Sequence, residues 1–226
     1  MHCTVNVGPG TCHPVSAQRQ TAQRPTLQYR LGVVLLAGGS ASRYGRNKLL
    51  ETSGGKSLIE QVIGVYAPLT LQPVVLVTGA YHKALSSQIR RPDVICHYNP
   101  HWQQGMGNSL ASGLSAGLAR FPATSHWLIG LGDQPRVSTA SLSKLVKASN
   151  QSPHKMVASA WKDRLTAPAI FPVEHCKTLT MLTGDRGAAW VLRQGAMTVP
   201  STCEGVIHPE AEWDIDTPED WAKFHC

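Results

Sequence analysis

Residues 31–50 read LGVVLLAGGSASRYGRNKLL, an apolar run that stops at a glycine pair and is followed by hydroxyls, two arginines and a lysine. The segment LGVVLLAG (31–38) is too short and too β-branched for a helix and ends in glycine, which predicts a strand buried on both faces. A strand of that kind needs a sheet covered by helices on either side, so the rest of the chain should alternate between the two element types.

It does. SLIEQVIGVYA (57–67) sets Ser57 and Glu60 at capping-box spacing and stops before Pro68, predicting a helix. PVVLVTG (73–79) and DVICHY (93–98) read as strands around a helix in AYHKALSSQIR (80–90). NSLASGLSAGLAR (108–120) places Leu110, Leu114 and Leu118 on one helical face, and HWLIGL (126–131) is a fourth strand. Beyond Ser138 a helix over 140–149, strands at 155–160 and 167–171 and a helix over 184–194 are expected. In DIDTPEDWAKF (214–224), Thr217 is the expected N-cap and Pro218 the first helical residue. The prediction is an α/β fold: a three-layer α/β/α sandwich around a Rossmann-like, mainly parallel sheet. Residues 1–30 lack a hydrophobic period and read as a flexible N-terminal leader, with residues 31–226 as one domain.

Charge narrows the class of partner. The chain carries 21 lysines and arginines against 14 acidic residues, but the last 23 residues hold seven acids and one lysine. A basic body suits a polyanionic small molecule; no basic block interleaved with aromatics points to nucleic acid. No apolar stretch approaches the roughly 20 residues that span a bilayer. The six cysteines form no CxxC pair and no export signal is evident, which leads us to expect reduced thiols in a cytoplasm.

In an open α/β sheet ligands bind beyond the carboxyl ends of the strands, which makes the loop after residue 37 the first candidate site. Gly38 and Gly39 lack a Cβ, so successive backbone N–H groups can approach phosphate oxygens, while Arg43 and Lys48 can neutralise the charge. The other account is a glycine turn with ordinary surface cations. A P-loop is excluded because its leading glycine would fall on Leu50, and neither this loop nor GMGNSL completes a dinucleotide fingerprint.

With these residues in place, the chain resembles the nucleotidyltransferases that make molybdopterin dinucleotides, and most closely their molybdenum cofactor cytidylyltransferase branch. The pattern L-A-[AG]-G-x-x-x-R-x-G-x-x-K is met by Leu36, Ala37, Gly38, Gly39, Arg43, Gly45 and Lys48, and is followed in order by NPHWQQGMGNSL (99–110), GLGDQP (130–135), APAIF (167–171), LTGDRGA (182–188) and DIDTPEDW (214–221). The spacing of Arg43 and Lys48 is that of the cytidylyl branch; the guanylyl branch usually has one residue more and an Asp before its Lys. Gly38, Ala41, Thr166 and Ala167 depart from the branch pattern, which bears on the base and the acceptor more than on the reaction.

The resemblance implies transfer of CMP from CTP to a molybdopterin-type phosphate acceptor, with Mg²⁺ as cofactor and a client molybdoenzyme as partner. It makes Arg43, Lys48 and Asp133 catalytic, Asp133 and Asp216 metal ligands, and Leu36, Ala37, Gly38, Gly39 and Ser40 the nucleotide loop. Thr78, Gly79, Asn108 and Ser109 are expected near the base or ribose, and Arg186 near the acceptor phosphate. Each has a structural alternative: Asp133 as a turn cap before Pro135, Asp216 as acidic surface, Asn108 as a helix cap, Thr78 and Gly79 as a strand-end turn, Arg186 in solvent. Asp214 and Asp216 should share one face of an extended segment, with Ile215 on the other. A related transferase using GTP, another NTP or a sugar phosphate, and a non-catalytic nucleotide-binding maturation factor, are the competing functions.

Overall fold

The computed structural model describes residues 27–224. Its seven-stranded sheet is built from β1 (Leu31–Ala37), β4 (Val74–Thr78), β5 (Val94–Tyr98), β6 (His126–Leu131), β7 (Met156–Trp161), β8 (Arg164–Pro172) and β9 (Cys203–Ile207), in the order β5-β4-β1-β6-β8-β7-β9. A short hairpin of β2 (Thr52–Ser53) and β3 (Lys56–Ser57) stands apart. Only β8 runs against its neighbours in the large sheet, pairing antiparallel with both β6 and β7.

Strand alternation sets the layers. Val33 and Leu35 of β1 face one core with α1 (Leu58–Tyr66), α2 (His82–Gln88) and α4 (Thr139–Gln151). Val34 faces the other, with α3 (Met106–Arg120), α5 (Val173–Thr180) and α6 (Ala188–Ala196). Buried on both faces at every residue but Leu36, β1 needs the near-continuous apolar run that its sequence shows. The Ser57–Glu60 capping box forms as expected, each partner satisfying an orphan N–H of the other's segment, a device worth about 1 kcal/mol.

Three features depart from the sequence expectation. The packed chain begins before residue 31: Leu27 and Tyr29 lie against the core, and the Tyr29 ring stacks on His126 at 3.8 Å. The remainder of the expected leader, residues 1–26, lies outside the described residues. Helix α3 starts at Met106 rather than Asn108, behind Gly105 at φ 103°. Strand β9 and helix α5 had no clear period, because β9 is an edge strand with alternately exposed residues and α5 is short and mostly polar outward. No helix among the described residues is long and apolar enough to cross a membrane.

The topology also fixes where a ligand can enter. From β1 the chain moves to β4 and β5 on one side, then crosses back through α3 to β6 on the other. The loops leaving β1 and β6 therefore diverge over the sheet's carboxyl edge and leave a crevice between them.

Candidate active site

The loop leaving β1 is a folded cradle pinned at two points. Ala41 takes φ 49° and its carbonyl accepts from Tyr44 N at 3.0 Å and Gly45 N at 3.1 Å. Tyr44 is 5% exposed, and Leu49, in the 3₁₀ turn Lys48–Leu50 capped by Asn47, is 6% exposed. Between these anchors the side chain of Lys48 is turned into the crevice. Among the described residues, the N–H groups of Gly39 through Arg43 donate to no backbone carbonyl, so the cradle presents donors as well as cations.

The opposing wall is acidic. Asp133 stands two residues past β6, and its carbonyl accepts from Ile215 N at 3.0 Å, which stitches the two acidic segments together. Gln134 adds a second stitch, its side-chain amide donating to Ala211 O at 3.0 Å, and the Arg136 guanidinium lies 3.6 Å from the Trp213 ring centroid. Ile215 is fully buried, so its neighbours Asp214 and Asp216 both face the crevice, as alternation predicts. Asp220 accepts from the amides of Asp216 and Thr217 and receives Thr217 as its reciprocal cap, holding the carboxylate segment at the start of α7 (Pro218–Phe224).

Tertiary structure brings these distant residues to one point. Lys48 Nζ lies 2.7 Å from Asp133 Oδ2 and 3.1 Å from Asp216 Oδ1, and Arg43 Nη2 lies 2.9 Å from Asp216 Oδ2. Burial disfavours the charge on Lys48, but the two carboxylates outweigh it and raise its pKa above the ordinary lysine value. Two carboxylates that converge on one ammonium also suit a divalent cation: hard oxygen donors with room left for phosphate oxygens and water. Among the described residues no group of three or more His, Cys, Asp or Glu side chains is placed to hold a metal ion.

Asp214 is exposed at the rim of the crevice, with Asp133, Asp216 and the Gln134 side chain crowding it. That crowding and the charge of Asp133 push its carboxyl up to about 7. A carboxyl whose folded-state pKa is raised gives its full contribution below the unfolded value and loses it as pH climbs through about 7. Asp214→Asn should therefore gain thermal stability relative to the parent as pH rises from about 4 to 7, with no further gain above. Melting curves in chelator across that range check this; a constant difference would refute the assignment.

The remaining predicted residues divide. Leu36, Ala37 and Gly39 line the crevice beside Lys48, and Gly38, Ser40 and Ser109 line its continuation. Thr78 is not in it: the residue is fully buried, its hydroxyl donating to His97 O at 3.1 Å and paired with His82 Nδ1 at 2.8 Å. Gly79 is a spacer, because a Cβ there would stand 2.3 Å from Gly38 O and 2.6 Å from Trp102 Cβ. Asn108 neither caps α3 nor lines the crevice; it lies within the first turn, donating to Gln104 Oε1 and accepting from Asn99. The glycines of GMGNSL admit a neighbouring loop. Gly107 N donates to Gly184 O at 2.9 Å, and a Cβ at Gly107 would meet Arg186 O at 2.5 Å, so these residues seat the 183–187 loop. Arg186 itself lies over Trp190 at 5.5 Å.

Sequence reasoning missed Trp102, Gln103 and Met106, which line the crevice together with Arg43. A tryptophan three residues ahead of Gly105 was the available signal, but six tryptophans spread along the chain blurred it.

The chain is similar to known proteins over most of its length. Nicotine blue oxidoreductase of Paenarthrobacter nicotinovorans is 28% identical over 171 residues, covering 71% of this chain and 80% of that protein. A nucleotidyl transferase from Methanothermobacter thermautotroptrophicus superposes with a TM-score of 0.70 at 21% identity, over 86% of this chain and 95% of that one. Rv0371c of Mycobacterium tuberculosis H37Rv, solved in complex with manganese, gives a TM-score of 0.66 at 20% identity, over 86% and 97% of the two chains. These two likenesses establish the nucleotide-diphospho-sugar transferase type of Rossmann-like fold. With residues 33–199 matching the profile of the MobA-like NTP transferase domain, the chain belongs to that family.

Proposed function

We propose that this nucleotidyltransferase moves CMP from CTP to the terminal phosphate of a molybdopterin-type acceptor and releases pyrophosphate. The observation that carries the reading is the convergence of Lys48, Asp133 and Asp216 at the mouth of the glycine loop. The choice of CTP rests on the spacing of Arg43 and Lys48 and on the GMGNSL and GDQP segments; a cytoplasmic setting and a client molybdoenzyme belong to the same proposal.

The chain's own groups have distinct parts. The amides of Gly39 to Arg43 receive the β- and γ-phosphates, and Lys48 and Arg43 swing from the carboxylates to the oxygens that gain charge as pyrophosphate departs. Asp133 and Asp216 would hold Mg²⁺, which when bound supplies positive charge to the α-phosphate; the manganese complex of Rv0371c supports a divalent ion here. The acceptor phosphate is already ionised and attacks the α-phosphorus in line, so no protein nucleophile is required. The crevice walls align the two anions and exclude competing water.

The likeness to an oxidoreductase shows that this fold carries other chemistry, so the test must read the transfer itself. Purified protein is incubated with Mg²⁺, molybdopterin and each NTP in turn, and pyrophosphate is measured. Release with CTP supports the proposal. Release with GTP alone moves the assignment to a sister activity, and nucleotide binding without release points to a maturation factor.

A further inference from the structure

The acidic wall of the crevice hangs from a turn that a buried histidine holds. Strand β9 lies at the edge of the sheet, with Gly205 in its middle and Ile207 80% exposed, so its own side chains fix its register on β7 only weakly. The chain then passes through the 3₁₀ turn Pro209–Glu212 and runs on to Asp214 and Asp216. Among the described residues between Cys203 and Ala211, His208 is the one that is buried, at 0% exposure. Its N–H donates to Ala160 O at 2.9 Å, continuing the ladder with β7, and its carbonyl accepts from Ala211 N at 3.1 Å, closing the turn. Ala211 is the residue that Gln134 grips, and Ile215 N reaches Asp133 O beyond it. His208 is therefore the first fixed point of the segment that carries Asp216 to Lys48.

Its side chain is held at one end. The register of β8 on β7 passes from Ala169 opposite Ala158 to Thr166 opposite Ser159, skipping Ala167 and Pro168. The Pro168 carbonyl accepts instead from Ser159 Oγ at 2.6 Å, and the same oxygen lies 2.7 Å from His208 Nδ1. A carbonyl has no proton to give, so the hydroxyl proton points at Pro168 and Nδ1 must donate to Ser159. Burial holds the ring's pKa below the ordinary histidine value, which keeps it neutral and leaves Nε2 a bare acceptor. Nε2 faces Glu210 Oε2 at 3.9 Å, and both atoms are buried without a hydrogen bond. Two bare acceptors cost stability rather than add it. An apolar side chain would fill the place without them, so what the histidine contributes is direction, one hydrogen bond that ties the end of β9 to a fixed point on β7. The Lys162–Glu212 pair at the other end of the turn lies at the surface, where such pairs hold little.

We propose that His208 is a positioning residue for the transfer: through Ser159 it locks the end of β9 against β7 and so keeps Asp214 and Asp216 at the crevice. Its effect on rate rests on the nucleotidyl-transfer reading, whereas its hold on the acidic segment does not.

The test replaces His208 by leucine, asparagine and glutamine. Leucine removes the donor and leaves Ser159 bonded to Pro168; asparagine sets an amide nitrogen where Nδ1 stands; glutamine carries its amide one bond too far. In His208→Leu, amide hydrogen exchange should quicken about tenfold or more at Ala211 and Ile215 while the amides of β1 and β6 exchange as in the parent, because one buried hydrogen bond governs a local opening. The kcat of pyrophosphate release should fall about tenfold, with the KM for CTP, which the β1 loop sets, within about twofold of the parent. His208→Asn should regain most of both, and His208→Gln neither. Parent-like exchange at Ala211 and Ile215 in His208→Leu, or quicker exchange spread evenly over β1 and β6, overturns the proposal. Should the leucine variant not fold, the asparagine and glutamine variants decide, and equal exchange in those two counts against the lock. If the parent releases no pyrophosphate with any NTP yet exchange at Ala211 and Ile215 still follows the His208 series, the transfer reading falls and the lock stands.

Discussion

Lys48→Met is expected to lower turnover by about 10²–10³-fold, the scale of removing one preorganised charge from a transition state, and at the same time to tighten binding of a divalent ion in the absence of nucleotide. Both effects follow from one position. The Lys48 ammonium sits within 3.1 Å of two carboxylates from segments 83 residues apart, with a side chain only 12% exposed. Methionine keeps the length and packing of the stem but leaves Asp133 and Asp216 facing each other without their shared cation. Like charges so close favour either protonation or an outside cation. Titration with Mn²⁺, read as loss of the free-ion paramagnetic signal, should therefore show tighter binding to Lys48→Met than to the parent, while pyrophosphate release collapses. Parent-like turnover would remove Lys48 from the mechanism; weaker Mn²⁺ binding would show that the lysine organises the carboxylates rather than competes at them.

Asp133→Ala should abolish turnover, by about 10³-fold or more, and leave the fold intact. The second half of that expectation separates a chemical role from a structural one. What Asp133 contributes to architecture is its backbone carbonyl, which accepts from Ile215 N, and alanine keeps that bond. Its side chain is about a quarter exposed and contacts Lys48, which retains Asp216 as a partner in the variant. Melting temperature and near-ultraviolet circular dichroism should stay close to the parent while pyrophosphate release disappears. A turn-capping role would give the reverse pattern, with lost stability and retained activity.

How much of this was legible beforehand depended on the range of the interactions involved. The strand LGVVLLAG, the capping box at Ser57 and Glu60, and the in-and-out alternation of Asp214, Ile215 and Asp216 are decided within a few residues, by side-chain shape, local hydrogen bonds and strand period. Each is found in the structure as read. Residues whose role depended on what another segment brought near them were misplaced. Gly105 and Gly107 look like ligand-approach glycines until the 183–187 loop is seen lying on them. Asn108 has the chemistry of a cap, but the helix starts two residues earlier. Thr78 has a binding hydroxyl that His82 and the His97 carbonyl already engage.

The amino-acid sequence by itself determined most of the order of strands and helices, the family to which the chain belongs and the chemical types available to the site, because hydrophobic period, turn residues and motif spacing are local quantities. Which of those types meet was decided only by tertiary structure. The crossover through α3 returns the chain beside β1 and sets Asp133 opposite Lys48, and the clasp of Ile215 and Gln134 carries Asp216 to the same ammonium. Contacts between residues 85 and 168 positions apart in sequence arise from sheet order and loop packing, for which no short window of residues holds the information.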